Sequence, residues 1–466
     1  MNDKFAKFIL FAHLWPCLTV MPLRAQSFPV SVVEVNGPDD KRINIVFLSE
    51  GYTLSEMQKY LLDVDSVVDR LFATSPYQEY HSYFNVYAIE VPSNESGTDH
   101  PGTAVDEPPG LPTFTRDTYF NTHYDAGGLH RGLVPLDAMP IFMVLEANAP
   151  FWDIAFMIVN YPWYGGSGTG IAVMSTDSSS AEVAIHELGH AFASLADEYE
   201  YGGLWGYDAP NSTDHTLRDS VKWNAWIDST TPVPTPEESG FAQAVGLFEG
   251  AARVATGWYR PKLECKMRTL GVPYCDICTQ QSVLAMYELV NPIDSALPTD
   301  TLQLLCSNAA RDFVVNTVPL DASTLRSQWF VNEQLSATGQ DLFTFDASQY
   351  APGEHMLKAL VTDTTPLVKN DPTGLLLRFT QWHIKIGLAT GDCQLDGRID
   401  ASDIIFIVNF VFKSGAAPIV CEARADVNCN GAVSSADIIH LVNHVFKGGA
   451  PPCDVCSLIP SQWTCD

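Results

Sequence analysis

The segment AIHELGHAFASLADEY, residues 184–199, sets two histidines four residues apart, His186 and His190, with Glu187 between them. On a helix, residues four apart share one face about 6 Å apart along the axis, so both imidazoles can reach a single zinc ion while Glu187 falls beside them. There Glu187 can take a proton from water made acidic by the metal and return it to a leaving amine, which is the chemistry of amide hydrolysis. A catalytic zinc needs a third protein ligand and one open position. Asp197 is the nearest acidic candidate, but a continuous helix would carry it roughly 10 Å along the axis from His190. The helix must therefore end near Ser194–Ala196 if Asp197 is a ligand. The other reading leaves Asp197 and Glu198 outside the ligand set and takes a downstream residue such as His215.

Two further clusters can do chemistry. ECKMRTLGVPYCDIC brings Cys265, Cys275 and Cys278 close in sequence. A C-x-x-C spacing serves zinc, redox chemistry or a disulfide, and in an oxidising compartment the disulfide is favoured. Near the C-terminus, GDCQLDGRIDASDIIFIVNFVFKSG recurs as ADVNCNGAVSSADIIHLVNHVFKGG, offset by 34 residues. The first copy places Asp392, Gln394, Asp396, Asp400 and Asp403 at loop positions 1, 3, 5, 9 and 12, with Gly397 at the turn. The second places Asp426, Asn428, Asn430, Ser434 and Asp437, with Gly431 at the turn. Oxygen donors at that spacing are what Ca²⁺ requires. The four acids of the first loop predict tighter binding than the second loop, which keeps Asp426 and Asp437 but has Asn430 and Ser434 where the first has Asp396 and Asp400.

The elements that must position these residues are readable in outline. RINIVFLSEGYTLSEMQKYLLDVDSVVDRLF gives a strand ending near Leu48 and a helix opened by a Thr53/Glu56 capping box, with Met57, Leu61, Val64, Val68 and Leu71 at helical spacing. YFNVYAIEV, AMPIFMVLEA, DIAFMIVN and GTGIAVMS read as further strands, interrupted by a Pro/Gly-rich loop over 92–132, and the His186 helix follows the last of them. This pattern predicts an α/β or α+β catalytic domain. From Trp205 to about Gly257 turn residues dominate, a helix ends near Val290, and NPIDSALPTD reads as a linker. TLQLLCS, SQWFVNE, DLFTFDA, HMLKALVTD and RFTQWHIKI then alternate as strands of an all-β, immunoglobulin-like sandwich.

The chain of 466 residues holds 26 Lys+Arg against 55 Asp+Glu, a net charge of -29, which repels nucleic acid and anionic membranes. Lys4, Lys7, the apolar run Phe8–Met21 and Ala25 read as a secretory signal peptide, and no later run reaches the ~20 apolar residues of a membrane span. Cys17 would leave with it, and ten of the 11 cysteines remain for an exported, disulfide-containing chain. The expected organisation is a signal peptide over 1–25, a zinc metallopeptidase domain over 26–292, an immunoglobulin-like β-sandwich over 300–387, a calcium-binding module over 390–453 and a tail over 454–466.

Read together, residues 186–199, NIVFLSEGYT, FNVYAIEVPSNESGTDHPGT, YRPKLECKMR and YCDIC resemble the bacterial IgA-peptidase family of zinc metallopeptidases, over about Ile43 to Val290. The resemblance implies a metzincin-like endopeptidase with an α+β zincin fold, in which His186, His190 and Asp197 hold zinc, Glu187 is the general base and Met267 forms a methionine turn beneath the metal. A disulfide within the cysteine trio would then clamp that turn. The immunoglobulin substrate that names the family is not implied. Ala193 and Ala196 stand where the longer metzincin motif has Gly and His, and the resemblance implies Asp197 as the third ligand. The duplicated segment is similar to a dockerin type I module, which implies two calcium sites and docking to a cohesin. Position 12 is Asp in both copies, and Cys393, Cys421, Cys429 and Cys453 are additional to the usual pattern. The expected function is secreted, zinc-dependent hydrolysis of protein or peptide substrates. The rival is a cell-surface binding protein whose zincin domain is inactive.

Overall fold

A computed structural model of the protein describes residues 26–168, 170–202, 205–387, 390–418, 421–458 and 463. The expected signal peptide lies outside them. Among the described residues, no helix is long and apolar enough to cross a membrane.

The first sheet is built from β1 (Val30–Glu34), β2 (Ile43–Glu50), β3 (Phe84–Ile89), β4 (Ile154–Val159), β5 (Gly166–Gly168) and β6 (Ala172–Met174). Their order is β1-β3-β2-β4-β6-β5; β2, β3, β4 and β6 run parallel, and the two edge strands are antiparallel to their neighbours. The apolar run of β2 is buried at every position, as a parallel strand covered on both faces must be. Ile43, Ile45 and Phe47 face a core shared with helices α1 (Met57–Phe72), α3 (Ser180–Ala193) and α4 (Asp276–Leu289). Val46 and Leu48 face the other side, against Ile141, Val144 and Leu145 of α2 (Met139–Asn148). The expected capping box forms: Thr53 N–H donates to Glu56 Oε2 at 2.8 Å, a cap worth about 1 kcal/mol that starts the chain toward α1.

Two elements differ from the sequence expectation. AMPIFMVLEA is the helix α2 and not a strand, because a short apolar run lacks a decisive period and Pro140 suits the first turn of a helix. The turn-rich stretch after Trp205 ends in a hairpin, β7 (Phe248–Ala251) and β8 (Val254–Arg260), whose turn takes Ala252 and Arg253 at positive φ.

A two-sheet β-sandwich follows. One sheet has the order β9-β11-β14, from β9 (Ile293–Leu297), β11 (Ala310–Thr317) and β14 (Leu342–Asp346). The other has the order β10-β16-β15-β12-β13, from β10 (Leu302–Leu305), β12 (Leu325–Val331), β13 (Gln334–Thr338), β15 (Gly353–Asp363) and β16 (Leu377–Ile386). Phe313, Val315 and Phe345 from the first meet Trp329, Leu357, Val361 and Trp382 from the second. The stretch expected to be a linker contains β9, which pairs with β11 and belongs to the sandwich. The sandwich is tied to the first domain: Asp363 accepts hydrogen bonds from Tyr80 (2.5 Å) and Tyr287 (2.8 Å).

The duplicated segment forms α5 (Ala401–Lys413) and α6 (Ser435–Lys447), packed through Ile407 and Leu441. Disulfides join Cys429 to Cys453 and Cys306 to Cys456, the second fastening the tail to the sandwich. Cys393, additional to the usual dockerin pattern, is a buried free thiol.

Candidate active site

Helix α3 delivers His186, Glu187 and His190 and stops where the distance argument requires. Ser194 takes the left-handed conformation (φ 53°) and Leu195 N–H closes back on Gly189 O at 3.0 Å. Asn211, fully buried, then grips the chain on the far side of the turn. Its Oδ1 accepts from Ala196 N–H at 2.7 Å and its Nδ2 donates to Ala196 O at 2.9 Å. Held this way, Asp197 turns back toward the helix, and its Oδ1 lies 3.3 Å from His186 Nε2 and 3.1 Å from His190 Nε2.

The imidazoles are oriented by the backbone. His186 Nδ1–H donates to Lys266 O at 2.9 Å, and His190 Nδ1–H donates to Leu195 O at 2.6 Å. With each Nδ1 committed to a carbonyl, each Nε2 faces the space shared with Asp197, where it donates to that carboxylate while protonated and offers a lone pair to a metal once that proton is lost. The three donor atoms lie within 4.8 Å of one another. This set fits a zinc ion by donor type and by tautomer. His215, the other candidate, is exposed, and its Nδ1 lies 3.6 Å from Asp214.

Around these three donors the electrostatics are polarised. Burial alone would raise Asp197, but hydrogen bonds with His186 and His190 and the Arg253 guanidinium, whose Nε donates to Oδ2 at 2.7 Å, hold its carboxyl well below the usual range. Glu187 moves the other way: burial raises it, and the nearby histidines do not fully offset that effect. Its carboxylate rests over β5, where a Cβ on Gly168 would come within 1.9 Å of Glu187 Oε2, so a larger residue there would displace the carboxylate. Glu187 and Tyr199 both line a cleft of about 610 Å³ with His186 and an adjoining recess of about 510 Å³ with His190 and Arg253. One cleft wall comes from the loop after β3, where His100 Nε2 lies 3.0 Å from Glu107 Oε1 and His130 Nδ1 lies 3.3 Å from Asp125 Oδ1.

Met267 is fully buried under α3, its Sδ 2.6 Å from where a Gly189 Cβ would stand. Cys265, Cys275 and Cys278 do lie together, but the expected disulfide is absent. All three are buried free thiols, and the Sγ atoms of Cys265 and Cys278 are 3.6 Å apart. The side chain of Glu198 enters between them, with Oε1 3.2 Å from Cys278 Sγ. Gly168, Tyr199, Asn211 and Arg253 were not read from the sequence. Tyr199 ends the motif segment itself, whereas the others lack any local signal.

The two loops of the duplicated segment share one hydrogen-bond pattern. Asp392 accepts from the amides of Asp396 and Gly397 at 3.2 and 3.1 Å, and Asp426 accepts from those of Asn430 and Gly431 at 3.0 and 2.8 Å. Asp403 accepts from Cys393 and Asp400 N–H, as Asp437 does from Asn428 and Ser434 N–H. Asp400 and Ser434 cap the following helices. Burial raises the Asp403 carboxyl, and Asp392 and Asp396 add repulsion. Gathered acids of this kind fit a Ca²⁺ ion by donor chemistry.

The profile of the IgA Peptidase M64 family matches residues 32–241 and 237–286, and that of the dockerin type I domain matches residues 390–446. No curated protein matches the chain. Among solved structures, the fibronectin(III)-like modules of Clostridium thermocellum CbhA are 8% identical, with 20% of this chain and 93% of that chain covered at a TM-score of 0.15. An endo-beta-1,4-mannanase from Thermotoga petrophila is 11% identical, with 74% of this chain and 65% of that chain covered at a TM-score of 0.15.

Proposed function

The chain belongs to the IgA peptidase M64 family and carries a C-terminal dockerin type I domain, and from this premise we propose an exported zinc endopeptidase that is delivered to its place of action by a calcium-dependent docking module. The family makes it a peptidase. The observation that carries the finer reading is Glu187, a carboxylate raised by burial and placed beside the converging donors of His186, His190 and Asp197.

In this reading His186, His190 and Asp197 hold zinc, which supplies Lewis acidity for polarising a carbonyl and acidifying water. Glu187 takes the proton of the attacking water and passes it to the departing amine. Arg253 keeps Asp197 ionised and fixed, and the Lys266 and Leu195 carbonyls keep both histidines in the required tautomer. Tyr199, like Glu187, lines both halves of the cleft, where a peptide crossing the site would pass. Met267 packs beneath the helix as the floor of the site. The catalytic domain is of zincin type, the sandwich is an immunoglobulin-like spacer, and the two loops take calcium. The disulfides support an oxidising, extracellular or cell-surface location.

Docking to a cohesin is supported by a repeated exposed face. Ile405 and Ile439 are each 61% exposed, and Phe412 and Phe446 are each 65% exposed at equivalent positions of α5 and α6. The rival reading, an inactive binding protein, leaves the placement of Glu187 without a purpose. Purified chain assayed on a generic protein substrate separates the two: chelator-sensitive cleavage that returns with zinc supports the enzyme, and zinc-loaded protein without cleavage supports the rival.

A further inference from the structure

We propose that Glu198, Cys265, Cys275 and Cys278 bind a second zinc ion in a closed, purely structural site directly behind the catalytic centre. The four ligand atoms lie within 4.8 Å of one another, and all four residues are buried, with Cys275 the most accessible at 2%. Their separations suit tetrahedral zinc. Bonds of ~2.3 Å to sulfur and ~2.0 Å to oxygen give edges of ~3.8 Å between sulfurs and ~3.5 Å between sulfur and oxygen. The corresponding distances here are 3.6 Å for Cys265–Cys278, and 3.2 and 3.9 Å from Glu198 Oε1 to Cys278 and Cys275.

A second observation points to a cation. Glu198 Oε2 is buried and has no hydrogen-bond partner, although its other oxygen accepts from Asn211 Nδ2 at 2.9 Å. A buried carboxylate with an orphaned oxygen against three sulfurs is costly unless a positive charge completes it. Cys275 and Cys278 sit at the N-terminus of α4, where the helix dipole is positive, and Cys275 N–H points at Cys265 Sγ at 3.2 Å. Redox exchange does not suit the trio, because no partner disulfide can reach sulfurs this deeply enclosed.

Such a site would brace the catalytic one. Glu198 follows Asp197, Cys265 precedes Lys266 and Met267, and Glu198 N–H donates to Met267 O at 2.8 Å. One ion would therefore fix the segment that presents Asp197, the carbonyl that orients His186, and the start of α4. The inference does not rest on the peptidase reading, and its test removes the catalytic ligands by design.

The test is zinc analysis of the full-length His186→Ala/His190→Ala variant after dialysis against a mild chelator. We expect one equivalent of zinc to remain, with an X-ray absorption spectrum dominated by sulfur neighbours at about 2.3 Å. Folded variant without zinc would overturn the proposal, as would mass-spectrometric evidence of a disulfide between any two of Cys265, Cys275 and Cys278. Cys278→Ala is the complementary variant, expected to lose this equivalent. Should it fail to fold, the histidine variant still decides.

Discussion

Asp197 and Glu198 are neighbours in the chain and point their carboxylates to opposite sides of one strap: Asp197 Oδ1 is 3.1 Å from His190 Nε2, and Glu198 Oε1 is 3.2 Å from Cys278 Sγ. The strap is held by Asn211, which binds the backbone of Ala196 on one side and Glu198 on the other. Two adjacent acids thus have separable roles. Asp197→Ala should empty the catalytic zinc site while leaving Glu198 and its thiols in place, which metal analysis after dialysis resolves. If Glu198→Ala removes catalytic zinc and Asp197→Ala does not, the third ligand is misassigned.

Arg253 touches the same carboxylate from outside, Nε to Oδ2 at 2.7 Å. Removing a group that orients a ligand typically costs about 10- to 100-fold in metal affinity. Arg253→Ala should therefore weaken zinc by that order in a chelator competition, with the fold unchanged because its side chain is more than half exposed. Unaltered affinity would show that Asp197 needs no such support.

Gly168 makes a steric prediction. A methyl group there would overlap Glu187 Oε2 and push the carboxylate from its place. Small misplacements of a reacting group cost on the order of 10²-fold in rate. Gly168→Ala should lower kcat by about that factor while zinc content stays at the wild-type level, whereas loss of zinc would place Gly168 in the metal site's support.

The acid limb of activity follows from Glu187. As a base it works deprotonated, and burial raises its pKa above the usual glutamate value. Activity is then lost as pH falls through that raised value, so the acid limb of kcat/KM should lie above the ordinary glutamate range. A limb at or below that range would contradict the buried setting of the base.

Calcium should act on the other end of the chain. Loops that collect Asp392, Asp396, Asp400 and Asp403 repel themselves without a cation, so Ca²⁺ should protect the segment 390–446 from proteolysis in the full-length protein. Asp392→Ala should reduce this protection more than Asn428→Ala, since the first loop holds more acid. The Cys429–Cys453 disulfide preorganises the second loop, and reduction should enlarge the calcium effect.

Local chemistry made much of this legible. The spacing of His186, Glu187 and His190 is a property of one helix, and the need for a break near Ser194 follows from helix rise alone. What was not legible depends on contacts across long sequence distances. Glu198 reaches cysteines far downstream, so C-x-x-C read alone suggested a disulfide, and only the fold supplies the fourth group. Arg253 and Gly168 are unremarkable in sequence and acquire meaning from a hairpin turn and a sheet edge. Helix α2 escapes the period argument because its apolar residues have no clear face, and β9 because Pro292 and Pro298 flank a strand of only five residues.

The central claim is that Glu187 moves the proton in a metal-dependent hydrolysis. The direct measurement is kcat for Glu187→Ala, purified, folded and shown to carry wild-type zinc. The account predicts a loss of about 10²- to 10⁴-fold with metal retained. Undiminished turnover in that zinc-loaded variant would contradict it.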